Sequence, residues 1–265
     1  MQDQDLAFTP AWQLRQMLDS REVSSLELTE LYLRRIEALN PKLNAYLTVT
    51  GEEALANARA ADAKLSRGES DGPLLGIPVS IKDLEMTRGI RTTYGSLAYQ
   101  DAIPEADSVV AERIRNSGAV LLGKTNTPEF GLQGMTENRL GDPCRNPWNP
   151  EHTPGGSSGG AGAAVAAGLG PLAAGTDGGG SIRNPSSYCG LFGIKPSLGR
   201  VPRAGSLGRP APNLTSQSGP MTRNVRDAAL LLQVLSGYDA RDPGSMREPA
   251  PDFLANLEQG ARGLR

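Results

Sequence analysis

The sequence predicts an α/β fold, because helix-like and strand-like segments alternate along its 265 residues. Four segments have the apolar spacing or the alanine-rich composition of helices: 24–39, 52–65, 107–117 and 225–235. Short apolar or alternating runs with the length of strands lie around them: 45–49, 74–83, 119–122 and 191–194. Alternation of this kind is typical of a layered domain in which helices pack on a β-sheet.

The composition is that of an ordinary soluble globular protein, with 38% hydrophobic and 21% charged residues. A net charge of -2 provides no positive field for a phosphate backbone, so we expect no direct nucleic-acid partner. No apolar run is long enough to cross a membrane, and the N-terminus lacks the charged start and apolar core of a signal peptide. We therefore expect a cytoplasmic protein without a membrane partner.

The first elements are helices with recognisable start and stop signals. A short helix is expected from Pro10 onward, ahead of a longer one. Ser24 and Glu27 have the spacing of a capping box, in which each side chain accepts a hydrogen bond from the other residue's backbone N–H. The longer helix is expected to stop at Pro41, because proline removes a donor from the helix interior.

The segment LLGIPVSIKD, from Leu74 to Asp83, alternates apolar and other residues with the period of a β-strand. Proline cannot donate to a neighbouring strand, so Pro78 places this strand at a sheet edge or stands at its first position. Lys82 lies at the end of the strand, on the face opposite the apolar residues. From this segment alone, Lys82 is expected to face solvent.

A phosphate-binding pattern between Gly118 and Thr125 is interpreted as accidental. The letters GAVLLGKT match the Walker A motif, including Lys124. A phosphate loop needs its middle residues to curl around the phosphate, whereas Ala-Val-Leu-Leu is typical of a buried strand. Pro128 and Gly131 also interrupt any helix that would follow. We expect a strand here and no nucleotide site.

Turn-forming residues dominate two regions of the second half. The stretch GDPCRNPWNPEHTP, from Gly141 to Pro154, is expected to be an irregular loop, and 195–220 is expected to be rich in turns. The last apolar residues, 253–257, are expected to lie in a final helix.

The most distinctive stretch is glycine-rich and runs from Thr153 to Arg183, with 11 of the chain's 32 glycines. Glycine allows sharp turns and close approach of the backbone to other groups. A flexible Gly/Ser linker is the alternative, but the run AAVAAGL at 163–169 is too apolar to leave in water and predicts a buried helix. Two hydroxyl sites flanked by glycine, Ser157-Ser158 and Ser181, lie on either side of this helix.

Metal catalysis is disfavoured by the ligand count. His152 is the only histidine, and Cys144 and Cys189 are too far apart in sequence to form a metal-binding pair or a disulfide framework. Both cysteines are expected to be buried thiols. We expect no metal and no cofactor.

A serine hydrolase remains open, with two possible bases. The letters GSSGG at 156–160 match the nucleophile elbow G-x-S-x-G, but a proline-rich loop precedes them and no histidine follows. His152 can still serve as a base in principle. A neutral lysine is the other candidate, because burial depresses the pKa of lysine from its ordinary value of about 10.4. Lys82 fits that role if it faces the nearly uncharged glycine-rich stretch.

Five longer motifs give the chain a strong resemblance to the amidase signature hydrolases. They are GIPVSIKD (76–83), GKTNTPEFG (123–131), NPWNPEHTPGGSSGG (146–160), GTDGGGSIRNP (175–185) and GLFGIKPSLGRVPRAG (190–205). The resemblance implies a mixed β-sheet covered by helices on both faces. It also implies one domain over 1–265, with a helical N-terminal portion over 1–70 and with the C-terminal part of the family fold absent from this chain.

The resemblance also implies a Ser-Ser-Lys triad. Ser181 matches the nucleophile, Ser157 matches the bridging serine whose preceding peptide bond is cis, and Lys82 matches the base. Ser158 is expected to help hold the loop. The backbone N–H groups of Gly178, Gly179, Gly180 and Ser181 are expected to stabilise the oxyanion. Asp177 and Arg183 are expected to form a structural ion pair, and Tyr188 and Cys189 to pack in the core.

The implied function is hydrolysis of a small-molecule carboxylic amide through an acyl-serine, by an enzyme that forms homo-oligomers in some cases. One alternative is the glutaminase subunit of a tRNA-dependent amidotransferase. Relatives in that branch carry a Ser-Leu-Asp-Gln run before Gly-Pro, and the partial match NLTSQSGP at 213–220, which keeps Gln217, favours a free-standing amidase. An inactive fragment or scaffold is the other alternative, and intact Lys82, Ser157 and Ser181 argue against it.

Overall fold

A computed structural model describes residues 3–70, 72–206 and 215–263 of the chain. Its strands are β1 (Tyr46–Val49), β2 (Pro78–Lys82), β3 (Val120–Thr125), β4 (Leu172–Asp177), β5 (Phe192–Gly193) and β6 (Gln217–Thr222). Its α-helices are α1 (Asp3–Phe8), α2 (Ala11–Asp19), α3 (Ser25–Leu43), α4 (Gly51–Ser66), α5 (Val109–Asn116), α6 (Gly159–Ala166), α7 (Arg183–Cys189) and α8 (Val225–Leu235). Three short 3-10 helices cover Leu97–Tyr99, Glu129–Gly131 and Leu257–Gln259.

The six strands form one mixed sheet in the order β1-β3-β2-β4-β6-β5. Strand β2 lies between β3 and β4 and is parallel to both. The outer pairs, β1 with β3, β4 with β6 and β5 with β6, are antiparallel. Because β2 and β4 are parallel neighbours, their carboxyl ends meet at one edge of the sheet. The mixed sheet agrees with the fold that the resemblance implies.

Helices cover both faces of the sheet, as expected. On one face, apolar side chains of the central strands pack with helices α2, α5 and α8; the strand residues are Val79, Ile81, Leu121, Leu172 and Ala174. On the other face, strand residues that alternate with these contact α6 or α3, and they are Leu122, Ala173 and Met221. This alternation is the two-residue period of strands that are buried on both sides.

Helix α3 begins at the predicted capping box but does not end at the predicted position. The backbone N–H of Ser24 donates to Glu27 Oε2 at 2.8 Å, and the N–H of Glu27 donates to Ser24 Oγ at 3.1 Å. The helix continues through Pro41 to Leu43. Pro41 lies in the last turn, and Asn44 closes the helix in the left-handed conformation, so the prediction that Pro41 stops it was wrong.

Strand β2 corrects the expectation for Lys82. Pro78 stands at its first position, as one of the two predictions allowed, and the strand is central rather than at an edge. All five residues of the strand are buried. The polar half of the alternation therefore faces a second packed layer, and Lys82 does not face solvent.

Other differences come from segments whose local sequence gave no strand or helix signal. Strands β4 and β6 and helices α1 and α7 were not predicted. Strand β6 occupies the end of the region that was expected to be turns. The helix expected at 253–257 is absent, since this segment reaches only the 3-10 helix that begins at Leu257. Residues 120–125 form strand β3, which agrees with the rejection of a phosphate loop.

Within the described residues, no helix is both long enough and apolar enough to span a bilayer.

Candidate active site

The glycine-rich stretch folds as a turn, the buried helix α6, strand β4 and a second turn. A Cβ on Gly160 would lie 2.2 Å from the backbone nitrogen of Asn126 and 2.5 Å from the carbonyl oxygen of Ala45. Only glycine allows the helix to approach these backbones so closely. Ala161, Ala163, Ala164 and Val165 are buried, so the stretch is packed structure and not a linker.

Lys82 extends from the end of β2 and is fully buried. Its Nζ donates to Ser157 Oγ at 2.6 Å, to Ser158 Oγ at 2.9 Å and to Thr176 Oγ1 at 2.9 Å. Two of these hydroxyls come from the turn before α6, and the third comes from the end of β4. The lysine thus joins the two serine-bearing parts of the chain from below.

The pKa of Lys82 is lowered well below its ordinary value, chiefly because burial disfavours the charged amine. The positive charge of Arg203 lowers it further, and the negative charges of Glu85 and Asp177 oppose the shift. Each of the three hydrogen-bond partners of the amine is a neutral hydroxyl. The surroundings therefore favour an uncharged amine, which is the form that can accept a proton.

Ser157 lies next to a cis peptide bond, Gly156–Ser157, as the resemblance implies. Its hydroxyl contacts Lys82, and the next residue joins this turn to the second serine site. The backbone N–H of Ser158 donates to the carbonyl oxygen of Ser181 at 3.1 Å. Ser158 Oγ also donates to the carbonyl oxygen of Thr176 at 3.1 Å, so Ser158 fixes the turn against β4.

The turn that carries Ser181 is built around the buried carboxylate of Asp177. This carboxylate accepts backbone N–H groups from Gly180 at 2.7 Å, from Ile182 at 3.1 Å and from Arg183 at 3.2 Å. The guanidinium of Arg183 adds two contacts of 2.9 Å each. The expected ion pair between Asp177 and Arg183 is confirmed.

Burial alone would raise the pKa of Asp177, but the hydrogen bonds from Arg183 and from the three backbone N–H groups hold it well below its usual range. Asp177 is therefore ionised at neutral pH. A fixed negative charge organises the turn from the side away from the cavity.

The same carboxylate changes the expectation for the oxyanion donors. The N–H of Gly180 is directed to Asp177 Oδ1, so it is not available to a bound oxyanion in this structure. In the described part of the chain, the N–H groups of Gly179 and Ser181 have no hydrogen-bond acceptor. Gly180 has a φ of 118°, which explains its glycine, whereas a Cβ on Gly179 would meet open space.

A cavity of about 400 Å³ opens over these groups. Ser157, Ser181, Gly178 and Gly179 all line it, and Lys82 lies beneath it against Thr176, another lining residue. The structure thus brings the three predicted catalytic residues and two of the predicted glycines to one place. Ser181 is partly exposed and Ser157 is buried.

His152 and the two cysteines lie elsewhere in the site's surroundings. His152 is exposed in the irregular loop 141–154, while the hydrogen-bond partner of Ser157 Oγ is Lys82. Cys144 and Cys189 are buried free thiols, as predicted, and burial raises the pKa of both. Tyr188, which was expected in the core, is 56% exposed.

Neither the sequence motifs nor the triad pointed to Thr176 and Arg203. Thr176 precedes the predicted glycines directly, so its place beside Lys82 follows from the pairing of β2 with β4. Arg203 lies in the last of the five motifs and is 3% exposed. In the three described ranges, no group of acidic, histidine or cysteine side chains has the arrangement of a metal site.

Comparison with known proteins places this geometry in context. The profile of the Amidase family matches residues 27–265. In Trichlorobacter lovleyi, the A-type subunit of glutamyl-tRNA(Gln) amidotransferase is 49% identical over 251 residues, which are 95% of this chain and 51% of that protein. The protein of the same name from Methylococcus capsulatus is 48% identical over 94% of this chain and 50% of its own length.

Two solved structures of amidases are similar over nearly the whole chain. A bacterial aryl acylamidase of the amidase signature family has a TM-score of 0.90 and 40% identity, covering 97% of this chain and 53% of that one. The peptide amidase from Stenotrophomonas maltophilia has a TM-score of 0.90 and 38% identity, covering 96% and 54%. The chain spans about half the length of these relatives. By its sequence and its fold, this chain belongs to the amidase signature family.

Proposed function

We propose that the protein hydrolyses a carboxylic amide through an acyl-enzyme on Ser181, with Ser157 as the proton relay and Lys82 as the base. The observation that carries this proposal is the 2.6 Å contact between Lys82 Nζ and Ser157 Oγ below a cavity that Ser181 also lines. Membership of the amidase signature family supports the same reaction class.

The proton path follows from the donors and acceptors around the amine. A neutral amine has two N–H groups and one lone pair, so it can donate to two of its three hydroxyl neighbours and must accept from the third. We assign the accepted hydrogen bond to Ser157, because that contact is the shortest. Ser158 and Thr176 then hold the amine in place as acceptors.

In acylation, Ser181 Oγ forms a bond to the amide carbon while its proton passes to Ser157 and the proton of Ser157 passes to Lys82. The relay then returns a proton to the amide nitrogen, the C–N bond breaks, and the amine or ammonia leaves. Water attacks the acyl-serine by the same route, and this step releases the acid and restores Ser181. No step requires a metal or a cofactor.

The oxyanion formed in both steps needs hydrogen-bond donors that are already in position. Gly179 and Ser181 supply the two backbone N–H groups proposed for this role, because Asp177 uses that of Gly180. One donor of this kind typically lowers the barrier by about 2.7–4 kcal/mol.

The test is covalent labelling with a fluorophosphonate, followed by intact mass and peptide mapping. Wild-type protein is expected to gain one adduct, on Ser181, and Ser181→Ala is expected to gain none. Ser187→Ala is the matched control, since this exposed serine lies six positions further along and outside the cavity lining. His152→Ala is also expected to label normally. An adduct on Ser181→Ala, or loss of labelling in His152→Ala, would contradict the assignment.

The second candidate is the glutaminase component of an amidotransferase, and the relatives named above favour it. In that case the protein would act in the cytoplasm with a partner protein. Co-purification of a partner, together with glutaminase activity that depends on that partner, would support this second candidate. Hydrolysis of simple amides by the isolated protein, unchanged by partners, would support a free-standing amidase, alone or as a homo-oligomer.

A further inference from the structure

The cavity over Ser181 has an unequal distribution of charge. Among the described residues that line it, Arg203 is the only one with a charged side chain. The remaining lining residues are glycines, neutral polar residues such as Gln133 and Asn184, and the apolar residues Leu84, Phe130 and Leu132. A group that enters this cavity therefore meets one positive charge and no negative side chain from the described lining.

The guanidinium of Arg203 is buried beside the reacting groups. Arg203 is 3% exposed, and its Nη1 donates to the carbonyl oxygen of Ser216 at 3.1 Å. Ser216 also lines the cavity, so this contact places the guanidinium at the wall. The charge of Arg203 also lowers the pKa of Lys82, which contacts Ser157 and Thr176 on the same wall. The positive charge thus acts within the site and not at the outer surface.

We propose that Arg203 is a specificity-determining residue that binds a carboxylate on the acyl part of the substrate, so that the preferred substrates are half-amides of short dicarboxylic acids. This inference rests on the proposed function, because it names the substrate class of the same site.

The chemistry of the two groups supports this selection. A guanidinium presents several N–H donors in one plane and binds a carboxylate through two parallel hydrogen bonds. Opposite charges attract more strongly in a cavity that is shielded from water than at the surface, because the effective dielectric constant is lower there. The cavity of about 400 Å³ has the size of a small-ligand site. An amide that enters with its carbonyl at Ser181 can direct a carboxylate on a short chain to the arginine.

The test measures binding in the Ser181→Ala variant, which cannot turn the ligands over. The ligands are two half-amides, succinamate and glutaramate, and two neutral amides of similar shape, butyramide and valeramide. Titration calorimetry at pH 7 keeps both carboxylates ionised, since their pKa lies near about 4. At least one half-amide is expected to bind at least about tenfold more tightly than its neutral counterpart.

Three further substitutions in the Ser181→Ala background identify the residue responsible. Arg203→Gln is expected to reduce the preference to within about twofold, and Arg203→Lys is expected to keep part of it, because it retains the charge but not the planar group. Arg200→Gln is the matched control. Arg200 has the same charge three positions earlier, but it contacts the carbonyl oxygens of Glu248 and Pro249 and does not line the cavity.

The outcomes separate this inference from the proposed function. Equal binding of half-amides and neutral amides, or no binding of any of them, would overturn the role of Arg203 even if wild-type Ser181 reacts with the fluorophosphonate. A preference that survives Arg203→Gln would overturn it as well. If Arg203→Gln does not fold, the comparison of ligands on Ser181→Ala alone still decides the substrate class. Failure of wild-type Ser181 to react would instead overturn the proposed function and leave the binding result standing.

Discussion

Two fully buried lysines on neighbouring strands show how partners decide what a buried amine does. Lys82 ends β2, and Lys124 lies on β3, one position before the residue that pairs with Lys82. Lys82 contacts three hydroxyls. Lys124 donates to the carbonyl oxygen of Glu85 at 2.7 Å and to Thr92 Oγ1 at 2.6 Å, and it lies 3.4 Å from the carboxylate of Asp83.

Burial lowers the pKa of both lysines, but their neighbours act differently. For Lys124, the charge and hydrogen bond of Asp83 and the charge of Glu85 oppose the effect of burial and favour the cation. For Lys82, no carboxylate is in contact and Arg203 adds to the effect of burial. Equal burial therefore gives a structural ion pair in one case and the conditions for a base in the other.

The largest effect that tests this comparison is the loss of the amine at position 82. Lys82→Met is expected to reduce the rate of fluorophosphonate labelling of Ser181 by about a thousandfold, because general base catalysis typically contributes 10²–10⁴-fold. The measurement is the second-order labelling rate, with circular dichroism to confirm folding. A folded Lys82→Met that labels at the wild-type rate would show that the lysine is not the base.

Lys124→Met is expected to affect stability instead of reactivity. It leaves the Asp83 carboxylate buried without its cation, which typically costs about 3–5 kcal/mol. Urea unfolding measures the loss, and Lys42→Met, on the exposed end of α3, is the control that should stay within about 0.5 kcal/mol. If Lys124→Met keeps its stability but loses labelling, the roles assigned to the two lysines are wrong.

The third prediction concerns the pH dependence of stability. The pKa of Lys82 is lowered in the folded state, so between that value and about 10.4 only the unfolded state binds the proton, and stability rises with pH. The difference in unfolding free energy between wild type and Lys82→Met is expected to increase from pH 8.5 to 9.5 by up to about 1.4 kcal/mol. Urea titrations at both pH values measure it. A difference that is constant or falls would indicate a charged amine.

The smallest effect is expected from one of the hydroxyls that hold Lys82. Ser158→Ala removes a 2.9 Å contact with the amine and the contacts with the backbone of Thr176. We expect a loss of about 1 kcal/mol of stability and a modest drop in labelling rate, because Ser157 and Thr176 still contact the amine. A loss of labelling as large as that of Lys82→Met would assign the relay to Ser158.

Much of the fold was predictable where local signals were strong. The capping box at Ser24 and Glu27 and the apolar helix Val225–Leu235 were predicted at their observed positions. Strands β4 and β6 were not predicted, because LAAGTD and QSGPMT have little β propensity of their own and are held by pairing with each other.

The site was partly predictable for a similar reason. The motifs led to Lys82, Ser157 and Ser181, but alternation along β2 could not distinguish a solvent face from a second buried layer. The use of the Gly180 N–H by Asp177 and the place of Arg203 depend on side chains that meet only in three dimensions. No pattern in one segment carries that information.

The crossover from β2 to β4 also bears on protein synthesis. Strand β3 and helices α5 and α6 separate the two parallel strands along the chain, so their pairing must wait until all of these have left the ribosome. A nascent chain that exposes Lys82 has neither serine beside it, and its amine stays hydrated and protonated. Chemical reactivity is therefore acquired late, and a labelled Ser181 would report that this long-range pairing is complete.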